Sequence, residues 1–227
     1  MSGSTRRLRV MTCNLWNGGA RPAALAEVVR LHDPDVVLAQ ELSPAQAEAL
    51  ADHFACGVLR PQRDTHGMGI ALRHPASVRE LPMPRRNFLA TRLSPAHWPG
   101  LRHPVDIFNV HLSSPNGLGR LPERVVQVTR LQAQLRAARG PLLVAGDFNS
   151  FPLMPAYWQL KRSLTDVASR AALRSLSAPK PTWGFNARSP RLLRIDHMLV
   201  GRARTDRFRV VDIEGSDHSS LLVDLHV

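Results

Sequence analysis

The chain has 227 residues, of which 44% are hydrophobic and 5% aromatic, as in folded globular proteins rather than disordered or fibrous ones. Thirty Lys and Arg against 18 Asp and Glu give a formal net charge of +12. This surplus favours polyanionic partners such as nucleic acid or an anionic membrane surface. No apolar run reaches the roughly 20 residues of a membrane-spanning helix, so stable membrane insertion is not expected.

Strand and helix patterns alternate in the N-terminal part of the chain. Apolar residues that alternate with polar ones predict a strand, and apolar residues three and four positions apart predict a helix. Pro22 suits the first turn of one helix, and Ser43 can cap another. In chain order, the patterns predict a strand over 6–14, a helix over 22–32, a buried strand over 33–41 and a helix over 44–54.

The rest of the chain begins with strand patterns separated by Pro, Gly and Asn, and continues with a long amphipathic pattern closed by Gly140 and Pro141. Helices interleaved with hairpin-like strands indicate a mixed α/β sandwich. We predict one domain over 1–227, with 1–6 as a flexible tail. The predicted elements are strands over 67–73, 77–81, 87–93 and 105–112, a helix over 120–138, a buried strand from 141, a helix over 155–162, a loop over 175–181 and strands over 192–200, 208–213 and 220–227.

The two cysteines, Cys13 and Cys56, lie in no zinc-binding pattern. Two free thiols in a reducing compartment are the simplest interpretation. The N-terminus also lacks the apolar run of a secretory signal. We therefore expect a cytoplasmic location. The sequence does not indicate an oligomeric state.

Polar residues recur where the predicted strands stop, which is where binding sites are often built. Oxygens of Asn, Asp and Glu are good ligands for Mg²⁺ or Mn²⁺. Histidines can donate hydrogen bonds to a phosphoryl oxygen or protonate a leaving oxygen, and a further carboxylate can accept a proton from water. The combination predicts metal-assisted hydrolysis of a phosphoester. The candidates are Asn14, Glu41, His111, Asp147, Asn149, Asp196, Asp217 and His218.

Several of these residues also have simpler interpretations. Asp147 and Asn149 follow a strand, where turn residues and helix caps are common. Asn14 could simply end its strand, and His111 could be a hydrogen-bonded core histidine. Asp196 differs because it lies between apolar neighbours inside a predicted strand, where a buried carboxylate needs a partner.

Six segments in order resemble the motifs of the endonuclease/exonuclease/phosphatase superfamily, and the resemblance covers residues 8 to 227. They are TCNLWNGG, QEL, VHLSS, GDFNS, RIDHMLV and GSDHSSLL. The resemblance implies an α/β fold, a four-layer α/β/β/α sandwich with two mixed, mainly antiparallel sheets. It also implies a Mg²⁺-dependent phosphoesterase, with Mn²⁺ as an alternative ion.

The resemblance assigns a role to each motif residue around the ion and the water. Glu41 would be the principal metal ligand, with Asn14 and Asp217 near the metal. Asp147 would orient or deprotonate the attacking water, and Asn149 would fix the phosphate.

The remaining motif residues would act on the phosphate. His218 would hydrogen-bond the phosphate and stabilise the transition state. Asp196 would hold the ring of His218 in orientation. His111 would contact the phosphate or assist the leaving group.

Three further residues are candidates for substrate binding, each with a simpler alternative. Asn17 follows the first motif but could serve the turn at Gly18 and Gly19. Arg73 could face a phosphate or lie on the solvated surface. Trp183 could flank the substrate, as an aromatic residue does in related enzymes, or pack its loop.

The basic surplus favours a nucleic acid substrate, contacted without sequence readout. His111 in VHLSS differs from the tyrosine of abasic-site endonucleases, which puts abasic-site repair in doubt. Alternatives are a phosphoesterase of phospholipid head groups or inositol phosphates, and a non-catalytic nucleic-acid-binding module. Aromatic residues that could stack on an unpaired base are Trp98, Trp183 and Phe185. Candidate phosphate-contacting groups are Arg85–Arg86, Arg120 with Arg124, Arg188 with Arg191 and Arg194, and Arg202 with Arg204, Arg207 and Arg209.

Overall fold

The computed structural model describes residues 7–116 and 120–227, so the tail predicted at 1–6 lies outside the described residues. Two six-stranded sheets form its centre. The first has the order β11-β12-β1-β2-β4-β3 and the second the order β5-β6-β7-β8-β10-β9. The strands are β1 Arg7–Asn14, β2 Val36–Gln40, β3 Cys56–Arg60, β4 Met68–Leu72, β5 Val78–Leu81, β6 Phe88–Leu93, β7 Val105–His111, β8 Leu142–Asp147, β9 Thr165–Asp166, β10 Asp196–Gly201, β11 Arg204–Asp212 and β12 Ser219–His226.

Both sheets are mixed and mainly antiparallel. Strands β1 and β2 form one parallel pair, and β7 and β8 form the other. The remaining pairs between neighbouring strands are antiparallel. The two sheets pack face to face, and the core between them contains Val10 and Leu38 from the first sheet and Leu143 and Met198 from the second.

Helices cover the outer faces of the two sheets. Leu25 and Leu50 pack on the first sheet, and Leu131 and Leu160 pack on the second. The arrangement confirms the expected four-layer α/β/β/α sandwich. Within the described residues, no helix has both the length and the apolar character needed to cross a membrane. The helices are α1 Pro22–His32, α2 Pro44–Ala51, α3 Arg120–Ala137, α4 Pro155–Lys161 and α5 Val167–Arg174.

Most predicted elements are present with shorter bounds, and Ser43 is the N-cap of α2 as expected. The sequence did not predict β3, because Gly57 interrupts a half-exposed edge strand. It also missed α5, which Asp166 caps by accepting a hydrogen bond from the Ser169 amide at 3.1 Å. The strand predicted over 192–200 was wrong at its start. Asp196 begins β10 rather than lying inside a strand.

Candidate active site

The candidate catalytic side chains lie at one end of the sandwich, because both parallel strand pairs end there. Asn14 lies opposite Gln40, the residue before Glu41, and His111 lies opposite Asp147. Strand β10 begins at the same end, with Asp196 opposite Asp147. Asp217 and His218 directly precede β12. A cleft of about 680 Å³ opens here, and its lining includes Glu41, His111, Asp147, Asn149, Asp217 and His218.

Asp147 is the centre of the polar cluster. The Asn14 amide nitrogen donates to its Oδ2 at 3.0 Å and also lies 3.4 Å from Glu41 Oε1. His111 Nε2 lies 3.4 Å from Asp147 Oδ2 and 3.7 Å from Glu41 Oε1. His218 Nε2 lies 4.0 Å from the same Asp147 oxygen. Groups from β1, β7, β8 and the loop before β12 therefore converge on one carboxylate.

His218 is flanked by carboxylates on both ring nitrogens. Its Nδ1 lies 2.8 Å from Asp196 Oδ2, and its Nε2 lies 3.9 Å from Asp217 Oδ1. Burial alone would lower the pKa of His218, but Asp196, Asp147 and Asp217 together raise it to about 9. The ring is consequently a cation at neutral pH, with Nε2–H directed into the cleft.

The carboxylates of the cleft are held in an environment that disfavours their charge. Burial, with repulsion from Asp196 and Glu41, raises the pKa of Asp147 to about 7 despite the nearby His218. Burial likewise raises the pKa of Glu41 and of Asp217. Within the described part of the chain, Asp217 Oδ1 is buried without a hydrogen-bond partner. Carboxylate oxygens with unpartnered lone pairs fit a hard divalent cation.

A second group of possible metal ligands shares Asp147 with the carboxylates just described. Asp147, Asp196 and His218 each offer a ligand atom, and these atoms all lie within 4.8 Å of one another. His218 Nδ1 is already paired with Asp196. That pairing matches the expected orienting role of Asp196 better than a ligand role for both residues.

Left-handed backbone conformations cluster around the cleft. Trp16, Asn17, Glu41 and Asn149 have φ angles of 48°, 44°, 52° and 45°. Such conformations cost on the order of 1–3 kcal/mol each, and the surrounding structure must hold them. The backbone N–H of Asn149 donates to Asp147 Oδ1 at 2.7 Å, and the side-chain amide of Asn149 donates to the Leu112 carbonyl at 3.0 Å. The loop after β8 is thereby fixed next to Asp147, the last residue of β8.

Two buried residues of α3 tie the cleft loops together. Gln127 accepts from the Ser113 amide at 2.9 Å and donates to the Pro84 carbonyl at 2.9 Å. Arg124 donates to the Ser113 carbonyl, to the Ser150 hydroxyl and, at 3.3 Å, to the Asn149 carbonyl. Arg124 is only 4% exposed. The prediction that it contacts phosphate was wrong, because the side chain turns inward as a brace.

The three candidate substrate-binding residues have different positions. Asn17 and Trp183 line the cleft, and Trp183 Nε1 donates to Asp217 Oδ2 at 3.2 Å. Arg73 lies at the opposite end of the sheet, where it pairs with Asp33 and Asp35. Because β4 runs antiparallel to β2, the end of β4 next to Arg73 lies far from Glu41. The structure does not support the prediction for Arg73.

The basic groups proposed from the sequence do not form one groove. Arg86 and Arg120 line the cleft. Arg85 lies beside Glu123, and Arg194 is buried against Asp166. Trp98, predicted as a possible stacking residue, is 2% exposed and belongs to the core.

Two features of the cleft were not predicted from the sequence: the position of Trp16 and the contact between Arg86 and His111. Trp16 lines the cleft and is 39% exposed. Its position two residues after Asn14 in the first motif was the available signal. Arg86 donates to His111 Nδ1. Burial and the Arg86 charge hold the pKa of His111 well below its usual value, so the ring is neutral with its hydrogen on Nε2.

The chain was compared with known proteins. The model of the Endonuclease/Exonuclease/phosphatase family matches residues 11–218. No curated protein sequence matches the chain. Solved structures share the fold at low sequence identity. An endonuclease/exonuclease/phosphatase from Beutenbergia cavernae DSM 12333 is 23% identical with a TM-score of 0.74, and the match covers 98% of this chain and 72% of that one.

Two further solved structures show the same fold. D. rerio TDP2 complexed with single strand DNA product is 18% identical with a TM-score of 0.73, and the match covers 97% of this chain and 99% of that one. AP endonuclease LMAP from Leishmania major is 19% identical with a TM-score of 0.74, at 98% and 88% coverage. The family match spans most of the chain and includes the cleft residues from Asn14 to His218. The chain therefore belongs to the endonuclease/exonuclease/phosphatase family.

Proposed function

We propose that this chain is a divalent-metal-dependent phosphodiesterase that hydrolyses P–O bonds of nucleic acid by in-line attack of water. Membership of the family supports a phosphoesterase. The observation that carries the proposal is the convergence of Asn14, His111 and His218 on Asp147 within 4.0 Å, beside an unpartnered Asp217 oxygen. Such a centre combines a proton acceptor, hydrogen-bond donors that include the cationic His218, and oxygen ligands.

Glu41, Asn14 and Asp217 would hold Mg²⁺, or Mn²⁺ in its place. When bound, the ion neutralises charge that develops on the phosphoryl oxygens. The raised pKa values of Glu41 and Asp217 support this assignment, because a nearby cation would favour their ionised forms.

The chain's own groups perform the proton transfers. Asp147, with a pKa of about 7, is suited to orient the attacking water and accept its proton near neutral pH. Asn149 donates a hydrogen bond to Asp147 Oδ2 at 3.2 Å and fixes that carboxylate. The side-chain N–H groups of Asn149 already serve Asp147 and the Leu112 carbonyl, which favours positioning of Asp147 over a direct phosphate contact.

Two histidines beside Asp147 Oδ2 would bind the phosphate. His218, kept cationic by Asp196, donates through Nε2 and stabilises negative charge in the transition state. His111 receives a hydrogen bond from Arg86 on Nδ1, so its Nε2–H faces the cleft. That hydrogen can reach a phosphoryl or leaving oxygen.

The rim of the cleft favours a phosphodiester that carries unpaired bases. Arg86 and Arg120 provide positive charge on one part of the lining, while Trp16 and Trp183 provide aromatic surface on another. Phe185 is 71% exposed, and its ring centroid lies 5.4 Å from that of Trp183. Exposed aromatic rings stack on bases of single strands. The structural similarity to D. rerio TDP2 complexed with single strand DNA product supports the same substrate class.

The test is a substrate panel with Mg²⁺ and Mn²⁺ titration: single- and double-stranded DNA, RNA, phosphotyrosyl-DNA, sphingomyelin and inositol phosphates. We expect metal-dependent cleavage of nucleic acid, reduced about 1000-fold or more in Asp147→Asn because the proton acceptor is lost. The matched control is Asp106→Asn on the same sheet, which should retain activity because Asp106 pairs with Arg92 outside the cleft.

Other outcomes would replace the proposal with one of the alternatives. Intact nucleic acid together with hydrolysis of sphingomyelin or inositol phosphates would select the small-phosphoester enzyme. Nucleic acid binding without turnover, unchanged by Glu41→Gln, would select a non-catalytic module. A cytoplasmic location is part of the proposal, and Cys13 and Cys56, both free thiols, are compatible with it.

A further inference from the structure

Two groups of arginines lie at the end of the sandwich opposite the cleft. Strands β8 and β10 connect the two ends, since Asp147 and Asp196 lie in the cleft end while Leu142 and Gly201 pair at the other end. The turn between β10 and β11, residues 202–203, therefore lies a whole strand length from the cleft. A six-residue strand spans roughly 17–20 Å.

Two depressions flank this turn, and arginines line both. The first, about 620 Å³, contains Arg136, Arg162 and Arg202, and no acidic residue is among its described lining. The second, about 550 Å³, contains Arg170, Arg174 and Arg204, with Asp206 as the one acid among its described lining residues. We call these six arginines the basic pole. Five of them are exposed, and Arg170 is half-buried.

Several arginines elsewhere in the fold are paired with acids, and those of the basic pole are not. Arg21, Arg60 and Arg92 lie 2.7, 3.3 and 3.0 Å from carboxylate oxygens of Glu214, Glu80 and Asp106. In the described part of the chain, no arginine of the basic pole lies within 4.0 Å of a carboxylate. Arg202 and Arg174 instead donate to backbone carbonyls, which fixes their side chains while leaving their charge uncompensated.

The charges that line the cleft are close to balance. The lining has three carboxylates, on Glu41, Asp147 and Asp217, with the two arginines Arg86 and Arg120 and the cationic His218. The cleft therefore accounts for little of the net charge of +12. A polyanion long enough to extend beyond the cleft would be attracted by the unpaired arginines of the basic pole.

We propose that the basic pole is a second nucleic-acid-binding surface, which contacts the phosphate backbone of a polynucleotide outside the cleft. Guanidinium groups bind phosphate well because their planar fork matches two phosphate oxygens. The kinetic consequence, preference for long substrates, rests on the proposed function. Binding itself does not, because the basic pole shares no residue with the cleft.

The test compares two triple variants that lower the net charge equally. The pole variant carries Arg170→Gln, Arg174→Gln and Arg204→Gln. The control carries Arg21→Gln, Arg60→Gln and Arg92→Gln, whose arginines are all paired with acids. Thermal unfolding checks that both fold. Binding of labelled single-stranded DNA of about 40 nucleotides is measured in EDTA across a salt series, since phosphate contacts make affinity salt-dependent.

We expect the pole variant to bind at least 10-fold more weakly than the unmodified chain near 0.1 M salt, with a salt slope smaller by about 2, because each lost single-strand phosphate contact removes about 0.7. The control should stay within about 2-fold. Equal weakening in both triple variants would overturn the proposal, since only net charge would then matter. Loss of binding to phosphatidylserine vesicles with unchanged DNA binding would overturn it in favour of a membrane surface.

A kinetic arm separates this proposal from the proposed function. With Mg²⁺, the pole variant should cleave a dinucleotide with unchanged kcat/KM, because that substrate cannot reach both ends of the sandwich. If the chain cleaves no nucleic acid but still loses DNA binding in the pole variant, the proposed function fails and the second surface stands. If cleavage occurs and the pole variant binds long DNA normally, the second surface fails alone.

Discussion

Two buried polar clusters meet at the start of β10, and they differ in how their charges are balanced. Asp196 faces the cleft, where Asp147, Glu41 and Asp217 have raised pKa values. Its neighbour His197 faces a second cluster, which we call the structural cluster, formed by Tyr157, Asp166, Arg194 and His197. Asp166 accepts from the Tyr157 hydroxyl at 2.5 Å and from Arg194 at 2.7 Å.

The structural cluster is complete without any added group. Burial alone would raise the pKa of Asp166, but Arg194 and Tyr157 bring it below its usual value. In the cleft, burial raises three carboxylate pKa values and leaves an Asp217 oxygen without a partner. Burial of charge therefore does not by itself indicate function. Carboxylates with raised pKa values and an unpartnered oxygen do, because a bound cation can then complete the cluster.

Breaking the structural cluster should have the largest effect on stability. Asp166→Asn leaves the buried Arg194 without a counter-charge, and removal of one partner of a buried pair costs about 3–5 kcal/mol. The side chains of Arg194 and Asp166 are 7% and 0% exposed. Urea unfolding would measure the loss.

Asp106→Asn is the matched control for that substitution. Its partner Arg92 is 55% exposed, and an exposed pair contributes at most about 1 kcal/mol. Equal losses in the two variants would mean that the Asp166–Arg194 pair is no more important than a surface pair.

The structural cluster should also make stability pH-dependent through His197. Burial, assisted by the Arg194 charge, lowers the pKa of His197 to about 4. The unfolded chain would protonate this residue near its ordinary pKa of about 6.5, so its neutral form stabilises the fold above that pH. The contribution falls as pH drops from about 6.5 to 4, and about 2 kcal/mol is lost at pH 5.

The measurement is the difference in unfolding free energy between the unmodified chain and His197→Asn at pH 7 and at pH 5. The other histidines titrate alike in both proteins, so their contributions cancel in the difference. The pH dependence that remains comes from His197. The difference should shrink on acidification. A constant difference would show that His197 does not titrate between the folded and unfolded states.

The same contrast explains what the sequence could predict. The cleft residues were identifiable because each lies at or next to one end of a strand, and sheet geometry then brings Asn14, His111 and Asp147 together. Arg73 also ends a strand, but the direction of β4 puts that end on the far side of the molecule. A strand end is visible in the sequence, whereas its direction depends on pairing with distant residues.

Burial of long polar side chains was the other property that the sequence did not reveal. Arg124 and Arg194 were expected to contact phosphate, since arginines are usually solvated. Both are buried because partners distant in sequence accept their hydrogen bonds, at Ser113 and Asp166. Trp98 was expected to be available for stacking, but it is buried in the core. Its Nε1–H donates to the Pro75 carbonyl at 3.0 Å.

The smallest expected effect is a gain in stability rather than a loss, and it tests the cleft. Asp217→Asn removes a carboxylate whose pKa is raised mainly by burial. A raised folded pKa means that the ionised form destabilises the fold at neutral pH, so the metal-free variant should gain on the order of 1 kcal/mol. The gain should vanish below about pH 3.8, where the carboxyl is protonated in both states.

Mg²⁺ should raise the unfolding temperature of the unmodified chain and have less effect on the Asp217→Asn variant. Destabilisation of the metal-free variant would instead mean that Asp217, like Asp166, is compensated by its neighbours, and the cleft would then need no cation.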